Sequence, residues 1–257
     1  METIKTMVLD LISGNSFIWT FVVLALITVL ANALGKLFKG RIHPSAIGIF
    51  LGLVMAYVCG AFTGGSKGAA DVALFAGVGV LGGSSFRDFT IISTAHGAKF
   101  SEIKKCGLAS VIALFAGVIS AYVVGAVIAL CFGYKDAASV ATIAAGTVTF
   151  VVGPVTGAAV GAESGVIAIS VAAGLIKSVA VMILTPICAK RIGLTTPQAA
   201  MIYGGLMGTT SGTAAGLAAT DEKLVPYGAM TATFYTGLGC LLCPSVLYTL
   251  TKFILGN

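Results

Sequence analysis

The sequence predicts an all-α integral membrane protein with about seven transmembrane helices and at least one re-entrant helical hairpin. Of the 257 residues 58% are hydrophobic and only 9% are charged, and the mean hydropathy is +1.05. These values lie outside the range of soluble globular domains. Apolar runs of about 20 residues, the length that crosses ~30 Å of hydrocarbon as a helix, recur along the chain. The period-two alternation of a β-barrel is absent.

The apolar runs follow one another with short loops between them. They are residues 17–34, 44–62, 72–86, 106–132, 140–161, 165–189, 197–219 and 226–250. The segment before them, Met1–Ser16, has apolar side chains on one helical face and is expected to lie on the membrane surface. We therefore expect an amphipathic interfacial segment over residues 1–16 and a single polytopic transport domain over residues 17–257.

The basic residues predict the topology. Under the positive-inside rule, the loops that carry most Lys and Arg are cytoplasmic. This basic set comprises Lys36, Lys39 and Arg41, then Arg87, Lys99, Lys104 and Lys105, then Lys190 and Arg191, and finally Lys252. The loops between them, Lys67 with Asp71, Lys135 with Asp136, and Asp221 with Glu222 and Lys223, are neutral or acidic. The net charge of +6 thus reflects topology, and no nucleic-acid partner is expected.

The number of crossings between two loops predicts the hairpin. If Lys135 is outside and Lys190 is inside, the chain between them must cross the membrane an odd number of times, yet it contains two apolar runs. One run must enter and leave on the same side. The run 141–161 contains Gly153-Pro154 at its middle, and proline ends or kinks a helix. We expect a re-entrant hairpin centred on Pro154, because irregular backbone at membrane depth occurs where it lines a wet cavity.

Two glycine- and threonine-rich segments supply candidate oxygen ligands. Glycines recur every fourth residue from Gly153 to Gly165 and from Gly204 to Gly216, which is typical of close helix packing wherever the segments are helical. Packing alone does not explain the hydroxyls in both segments, which suit a small cation or a carboxylate. The candidate sodium ligands are Thr147, Thr149, Gly153 and Thr156, and the candidate substrate ligands here are Thr209, Thr210, Ser211 and Thr213.

Two cationic side chains are candidates for binding a carboxylate. Lys177 lies in the middle of the run 165–189, on a face with the small residues Ser170, Ala173 and Gly174, so it is expected to point into the bundle. Its alternatives are snorkelling toward the membrane surface and an ion pair with a structural carboxylate such as Glu163. Arg87, with Ser84 and Ser85, could pair with both oxygens of a carboxylate. Its alternatives are a pair with Asp88 and an ordinary cytoplasmic loop charge.

Other chemistry has little support in the sequence. Cys240-x-x-Cys243 has zinc spacing but lies within an apolar run without a nearby His, so we expect packing and no transition-metal site. No Ser-His-Asp spacing or carboxylate pair indicates an enzyme, and no cofactor is expected. At a constant spacing, Pro44, Ala46, Ile49, Gly52 and Leu53 match Pro197, Ala199, Ile202, Gly205 and Leu206, which suggests an internal repeat in parallel orientation.

Three long strings of residues resemble one known family. They are residues 74–105 (LFAGVGVLGGSSFRDFTIISTAHGAKFSEIKK), 144–165 (AAGTVTFVVGPVTGAAVGAESG) and 199–230 (AAMIYGGLMGTTSGTAAGLAATDEKLVPYGAM). Together they are similar to the M subunit of the two-component bacterial malonate:sodium symporter. The resemblance extends over nearly the whole chain.

The resemblance implies uptake of malonate across the bacterial inner membrane, with sodium as the coupling ion. It also implies a smaller L subunit as partner in a hetero-oligomer embedded in membrane lipid. It assigns no binding residues, so the site candidates remain those above. Two alternatives stay open: a channel-forming subunit, which "TVTFVVG" (147–153) loosely suggests, and a structural subunit whose partner carries the site.

Overall fold

A computed structural model of the chain describes residues 13–37, 44–64, 68–72, 75–78 and 100–256, together with Met7, Asp10 and Leu11. This part of the chain is helical and contains no strand. The chain divides into two compact units, Met1–Ile92 and Ser93–Asn257. The predicted interfacial segment, residues 1–16, lies largely outside the described residues, and so do Ser84, Ser85 and Arg87.

The first unit contains two long apolar helices, α1 (Ser16–Leu37) and α2 (Pro44–Thr63), which pack against each other. A 3₁₀ turn at Gly68–Asp71 also packs on α2. Gly77 lies so close to the start of α1 that a Cβ there would collide with the backbone of Ser16 and Phe17. Most of the predicted run 72–86 falls outside the described residues.

The second unit contains the elements that form the candidate site. Its helices are α3 (Phe100–Cys131, with a backbone break at Gly107), α4 (Ala137–Val148), α5 (Val152–Val160), α6 (Ser164–Cys188), α7 (Pro197–Met207), α8 (Thr210–Ala218), α9 (Val225–Leu242) and α10 (Tyr248–Leu255). The segment Cys243–Leu247 joins α9 to α10 as one π-helical turn. Cys243 is buried in the core of this unit, where it packs as a small apolar side chain.

Within the described residues, fewer helices are long and apolar enough to span the membrane than the sequence predicted. Among the described residues, four helical stretches are long and apolar enough to cross: Ser16–Leu37, Gly107–Cys131, Ser164–Cys188 and Glu222–Leu255. The runs 140–161 and 197–219 each break into two short helices. The sequence prediction counted the run 197–219 as a crossing, whereas this run is interrupted near its middle, as is the run 140–161.

Helices α4 and α5 form an antiparallel helical hairpin, termed hairpin 1. Gly153 on α5 lies against Gly146 on α4, and one turn further from the tip Gly157 lies against Thr142. The paired residue numbers run in opposite directions, so the chain reverses between the two arms. With 12 residues, α4 is about 18 Å long, enough to reach the middle of the hydrocarbon before the chain returns. The predicted re-entrant hairpin is therefore present.

The predicted position of the break was wrong. The tip of hairpin 1 is Thr149–Val151, and Thr149 is extended (φ −153°, ψ 157°). Pro154 lies in the first turn of α5, where its missing N–H costs no helical hydrogen bond. The glycine series is likewise not one helical face, because α5 ends at Val160 and Gly161 is left-handed (φ 74°).

Helices α7 and α8 form a second hairpin, termed hairpin 2, which the sequence did not predict. Its tip is Gly208 and Thr209, where Gly208 has φ 67° and Thr209 is extended. The arms are splayed around α9, because Gly228 contacts Ala200 on α7 and Leu217 on α8. The second glycine series is therefore divided between two arms, with Gly208 at the turn.

The two hairpins enter from opposite ends of the unit. Each end has its own buried cluster, and each cluster contains both the start and the return of one hairpin. At the hairpin-1 end the cluster is Ala129, Val140, Ile143 and Val166, with Tyr134, Ala162 and Leu255 packed against it. At the hairpin-2 end it is Ala189, Leu194, Ala200, Met201, Leu217, Leu224 and Tyr227.

This arrangement corrects the predicted location of two charged segments. Because Leu255 and Tyr134 share the hairpin-1 end, Lys252 lies at the same end as Lys135. Because Leu224 and Ala189 share the hairpin-2 end, the loop 221–223 lies at the same end as Lys190. The sequence prediction had placed Lys252 on the same side as Lys190, and the loop 221–223 on the same side as Lys135, because it treated the run 197–219 as a crossing.

The positive-inside rule still orients this unit. The hairpin-2 end carries Lys190, Arg191 and Lys223, whereas the hairpin-1 end carries Lys135 and Lys252. From this excess of Lys and Arg we predict that the hairpin-2 end is on the cytoplasmic side.

An inverted repeat relates the two halves of the second unit. Each half consists of a hairpin and the long helix that follows it, and the halves have opposite directions. At a spacing of 58 residues, the contact of Gly146 with Ser170 corresponds to that of Gly204 with Gly228. At the same spacing, Lys177 corresponds to Tyr235, and Pro186 to Pro244. The parallel repeat that the sequence suggested is not a structural repeat. Residues 44–53 belong to a 20-residue helix, whereas residues 197–206 belong to an 11-residue hairpin arm.

Cysteine labelling tests this topology. We expect single cysteines at Lys135, Glu163 and Lys252 to react with an impermeant maleimide from one face of sealed vesicles, and cysteines at Arg191 and Glu222 from the other, because hairpins return to the side they enter. The measurement uses a background with the six native cysteines replaced. Labelling of position 252 together with position 191 would contradict hairpin 2.

Candidate functional site

The tips of the two hairpins meet at the middle of α6. Gly174 lies against the backbone of Phe150 at the tip of hairpin 1, and Ser178, one turn later, contacts Thr209 at the tip of hairpin 2. Between them, Lys177 reaches the end of α4. Of the predicted inward face of α6, Ser170 and Gly174 are buried and Ala173 is half-buried, and Ser178, one turn after Gly174, is buried as well. We term the group of Val148, Lys177, Ser178, Thr209 and Tyr235 the central cluster.

Lys177 is held by neutral oxygen atoms. Its Nζ donates to the carbonyl oxygen of Val148 at 2.9 Å and to the hydroxyl of Tyr235 at 3.3 Å, and lies 5.1 Å from the centre of the Tyr235 ring. Val148 is the last residue of α4, where carbonyls lack intrahelical donors and the helix dipole is negative. The alternative partner Glu163 is exposed at the start of α6, so it does not pair with Lys177.

Among the side chains of the second unit that the structure describes, no carboxylate compensates the positive charge of Lys177. The described acidic side chains, Asp136, Glu163, Asp221 and Glu222, lie at the two ends of the unit, and none contacts Lys177. An ammonium in the middle of a membrane is costly without a partner. The central cluster is therefore electrostatically suited to an anion.

Tyr235 contacts both Lys177 and the tip of hairpin 2, and the sequence analysis missed it. Its side chain is fully buried, its hydroxyl donates to the carbonyl oxygen of Gly117 at 3.2 Å, and its ring lies directly on Gly208. A Cβ at Gly208 would collide with the ring. The available signal was the spacing of 58 residues between Lys177 and Tyr235, which becomes visible only when the repeat is inverted.

Of the four predicted hydroxyl ligands on hairpin 2, one contacts α6 and three lie further along α8. Thr209 Oγ1 lies 2.5 Å from Ser178 Oγ and accepts a hydrogen bond from the N–H of Gly212, so it both caps α8 and binds α6. Thr213 is buried one turn further along α8. Thr210 is half-buried and Ser211 is exposed. Of the predicted substrate ligands, Lys177 and Thr209 therefore lie at the central cluster.

The four predicted sodium ligands do not share one location. Thr147 donates to the carbonyl oxygen of Ala121 at 2.8 Å and links α4 to α3. Thr149 Oγ1 accepts from the N–H groups of Val151 and Val152 and caps α5. Gly153 lies against Ser170, and Thr156 lies further along α5.

Two buried hydroxyls of this unit have no hydrogen-bond partner among the described residues. They belong to Thr156 on hairpin 1 and Thr213 on hairpin 2, and both side chains are 0% exposed. Leaving a buried polar group unsatisfied costs about 1–3 kcal/mol, so such groups are rare without a role. Each hairpin thus carries one buried hydroxyl that has no partner among the described residues.

The comparison with known families agrees with a transport role. The model of the family described as malonate/sodium symporter MadM subunit matches residues 8–255. No curated protein and no solved structure matches the chain.

Glycine substitutions test the close packing at the site. We expect Gly146→Ala to destabilise the protein by about 1–3 kcal/mol, because the added methyl group collides with the backbone of Ser170. The matched control is Gly237→Ala, an exposed helical position with nothing within 4 Å, where alanine is neutral or stabilising. The midpoint of thermal unfolding in detergent measures both, and equal midpoints would contradict the packing.

Proposed function

The chain belongs to the malonate/sodium symporter MadM subunit family, and we propose that it carries the transport site for sodium-coupled uptake of malonate. In this proposal the substrate binds at the central cluster, between the two hairpin tips. Lys177 pairs with a carboxylate of malonate, and the hydroxyls of Ser178 and Thr209 line the site.

The uncompensated charge of Lys177 carries this proposal. Its two hydrogen-bond partners are neutral, and a carbonyl and a phenol only partly offset the cost of the charge. A carboxylate forms a stronger, charge-assisted hydrogen bond with an ammonium. An anionic substrate therefore gains most of its binding energy where the protein has an unbalanced positive charge.

The coupling ion requires oxygen ligands, which the hairpins supply. Sodium, a hard cation, favours hydroxyl and carbonyl oxygens, and half-helix ends at membrane depth provide them in many transporters. Of the candidates, Thr156 is favoured because its hydroxyl has no other partner among the described residues. Thr213 on hairpin 2 has the same property and is proposed as a second oxygen ligand.

The inverted repeat supports alternating access to this one site. Hairpins that enter from opposite ends and meet at their tips separate the site from each side by one hairpin. Movement of hairpin 1 exposes the site to one side, and movement of hairpin 2 exposes it to the other. Such repeats, with sites near the midplane, are common in secondary transporters.

The family description, a subunit of a symporter, supports a multi-subunit transporter in a membrane. We propose that the chain functions in the bacterial inner membrane with a smaller L subunit, surrounded by lipid. The proposed hetero-oligomer is the form to be used in every transport assay below.

An imposed ion gradient tests the coupling. We expect the complex in proteoliposomes to accumulate malonate under a sodium gradient and not under a proton gradient alone. Thr156→Val should raise the sodium concentration for half-maximal uptake, because it removes an oxygen ligand. Thr142→Val is the matched control, since this buried hydroxyl donates within its own helix to Ala138.

The results separate the alternatives. Accumulation driven only by protons would contradict sodium coupling. Malonate flux that neither saturates nor accumulates against a gradient would indicate a channel. A normal sodium requirement in Thr156→Val would exclude Thr156 as a ligand.

Removal of the Lys177 charge tests the substrate site. We expect Lys177→Met to raise the malonate concentration for half-maximal uptake by about 10-fold or more, because a hydrogen bond to a charged group contributes about 1.5–3 kcal/mol. The control is Lys252→Met, an exposed lysine at the end of α10. Unchanged malonate affinity in a folded Lys177→Met complex would indicate that the partner subunit carries the site.

A further inference from the structure

Lys177 and Tyr235 lie across the pseudo-two-fold axis of the inverted repeat. They occupy equivalent positions in the two halves, and their polar atoms are 3.3 Å apart. Two residues that a two-fold operation exchanges can touch only if the axis passes between them. The axis therefore crosses the central cluster between the ammonium and the phenol.

A dicarboxylate such as malonate has a matching symmetry. Its two carboxylates are attached to one methylene group and are exchanged by a two-fold rotation. A ligand of this kind on the axis directs one carboxylate toward each half of the unit. The donor at the equivalent position is the Lys177 ammonium in one half and the Tyr235 hydroxyl in the other.

We propose that Tyr235 is a substrate-binding residue, whose hydroxyl donates a hydrogen bond to the second carboxylate of the dicarboxylate while Lys177 pairs with the first. This inference rests on the proposed function, in which Lys177 receives a carboxylate. Tyr235 thereby determines specificity for substrates with two carboxylates over substrates with one.

The present contacts of Tyr235 permit this role. A phenol has one hydrogen to donate, and here it goes to the Gly117 carbonyl at 3.2 Å, beyond the usual 2.5–3.0 Å range for O–H···O bonds. A carboxylate is a stronger acceptor, so exchanging this long bond for a short one is favourable. Likewise, the hydrogen bond from the Lys177 ammonium to the Tyr235 hydroxyl is replaced by hydrogen bonds from each group to a substrate carboxylate.

Hairpin 2 controls access to the phenol. Gly208 at its tip lies on the Tyr235 ring, and only a residue without a side chain fits there. A displacement of this tip uncovers the ring and the hydroxyl. Tyr235, which binds the second carboxylate in this proposal, therefore lies directly beneath the tip of hairpin 2.

The test compares Tyr235→Phe with Tyr122→Phe in the complete complex. The probes are malonate and monomethyl malonate, which has the same carbon chain and one free carboxylate. Tyr122 is the matched control, because it is a buried tyrosine whose hydroxyl bonds to Thr251 at 2.8 Å, away from Lys177. Transport and competition assays give an affinity for each probe, and gel filtration confirms the assembly of each complex.

We expect Tyr235→Phe to weaken malonate binding by about 10-fold or more and to leave monomethyl malonate little changed. Tyr122→Phe should change neither. A second measurement is the tyrosine ultraviolet difference spectrum on adding malonate, which should be present in wild type and in Tyr122→Phe and absent in Tyr235→Phe.

An equal loss for both probes in Tyr235→Phe, or no loss for malonate, would overturn the role of Tyr235. Lys177→Met separates this result from a failure of the proposed function. If Lys177→Met weakens both probes while Tyr235→Phe weakens neither, Lys177 binds substrate and Tyr235 does not. If Lys177→Met weakens neither probe, the proposed site itself is wrong.

Discussion

The contact between the Lys177 ammonium and the Val148 carbonyl is the interaction on which the second unit depends. A charge at the middle of a membrane needs polar partners, and an intact helix has no carbonyl to offer, because each is already bonded. Ending α4 at Val148 releases such a carbonyl at the required depth. The lysine and the broken helix therefore stabilise each other, and the hairpin tip is fixed against α6.

Small residues make the meeting of the two tips possible. Gly146, Gly174 and Gly208 lie where a Cβ would collide with the backbone or ring of a neighbouring element. Close approach of this kind is the main source of packing energy between helices in a membrane, since lipid is as apolar as the side chains. It also brings backbone dipoles from opposite ends of the unit to one point. This packing places the polar side chains of Lys177, Ser178 and Thr209 between the two hairpin tips.

Much of this arrangement could be predicted from the sequence. Hydropathy predicted an integral membrane protein, since apolar runs of this length are typical of helices that cross lipid. The count of crossings between Lys135 and Lys190 required hairpin 1, and the small residues of α6 directed Lys177 inward. Family membership was visible in long strings of residues. What hydropathy could not provide was the depth of each break, so the tip was expected at Pro154 and found at Thr149–Val151.

Hairpin 2 and the position of Tyr235 beside Lys177 were decided only by the tertiary structure. The run 197–219 has the length and apolarity of a spanning helix, and its break at Gly208 depends on contacts with Tyr235 and Ser178, which are distant in sequence. Missing that break moved Lys252 to the wrong end. Composition and local patterns record which segments enter the membrane. Whether a segment crosses or returns depends on which partners satisfy its backbone in the middle, and those partners come from other helices.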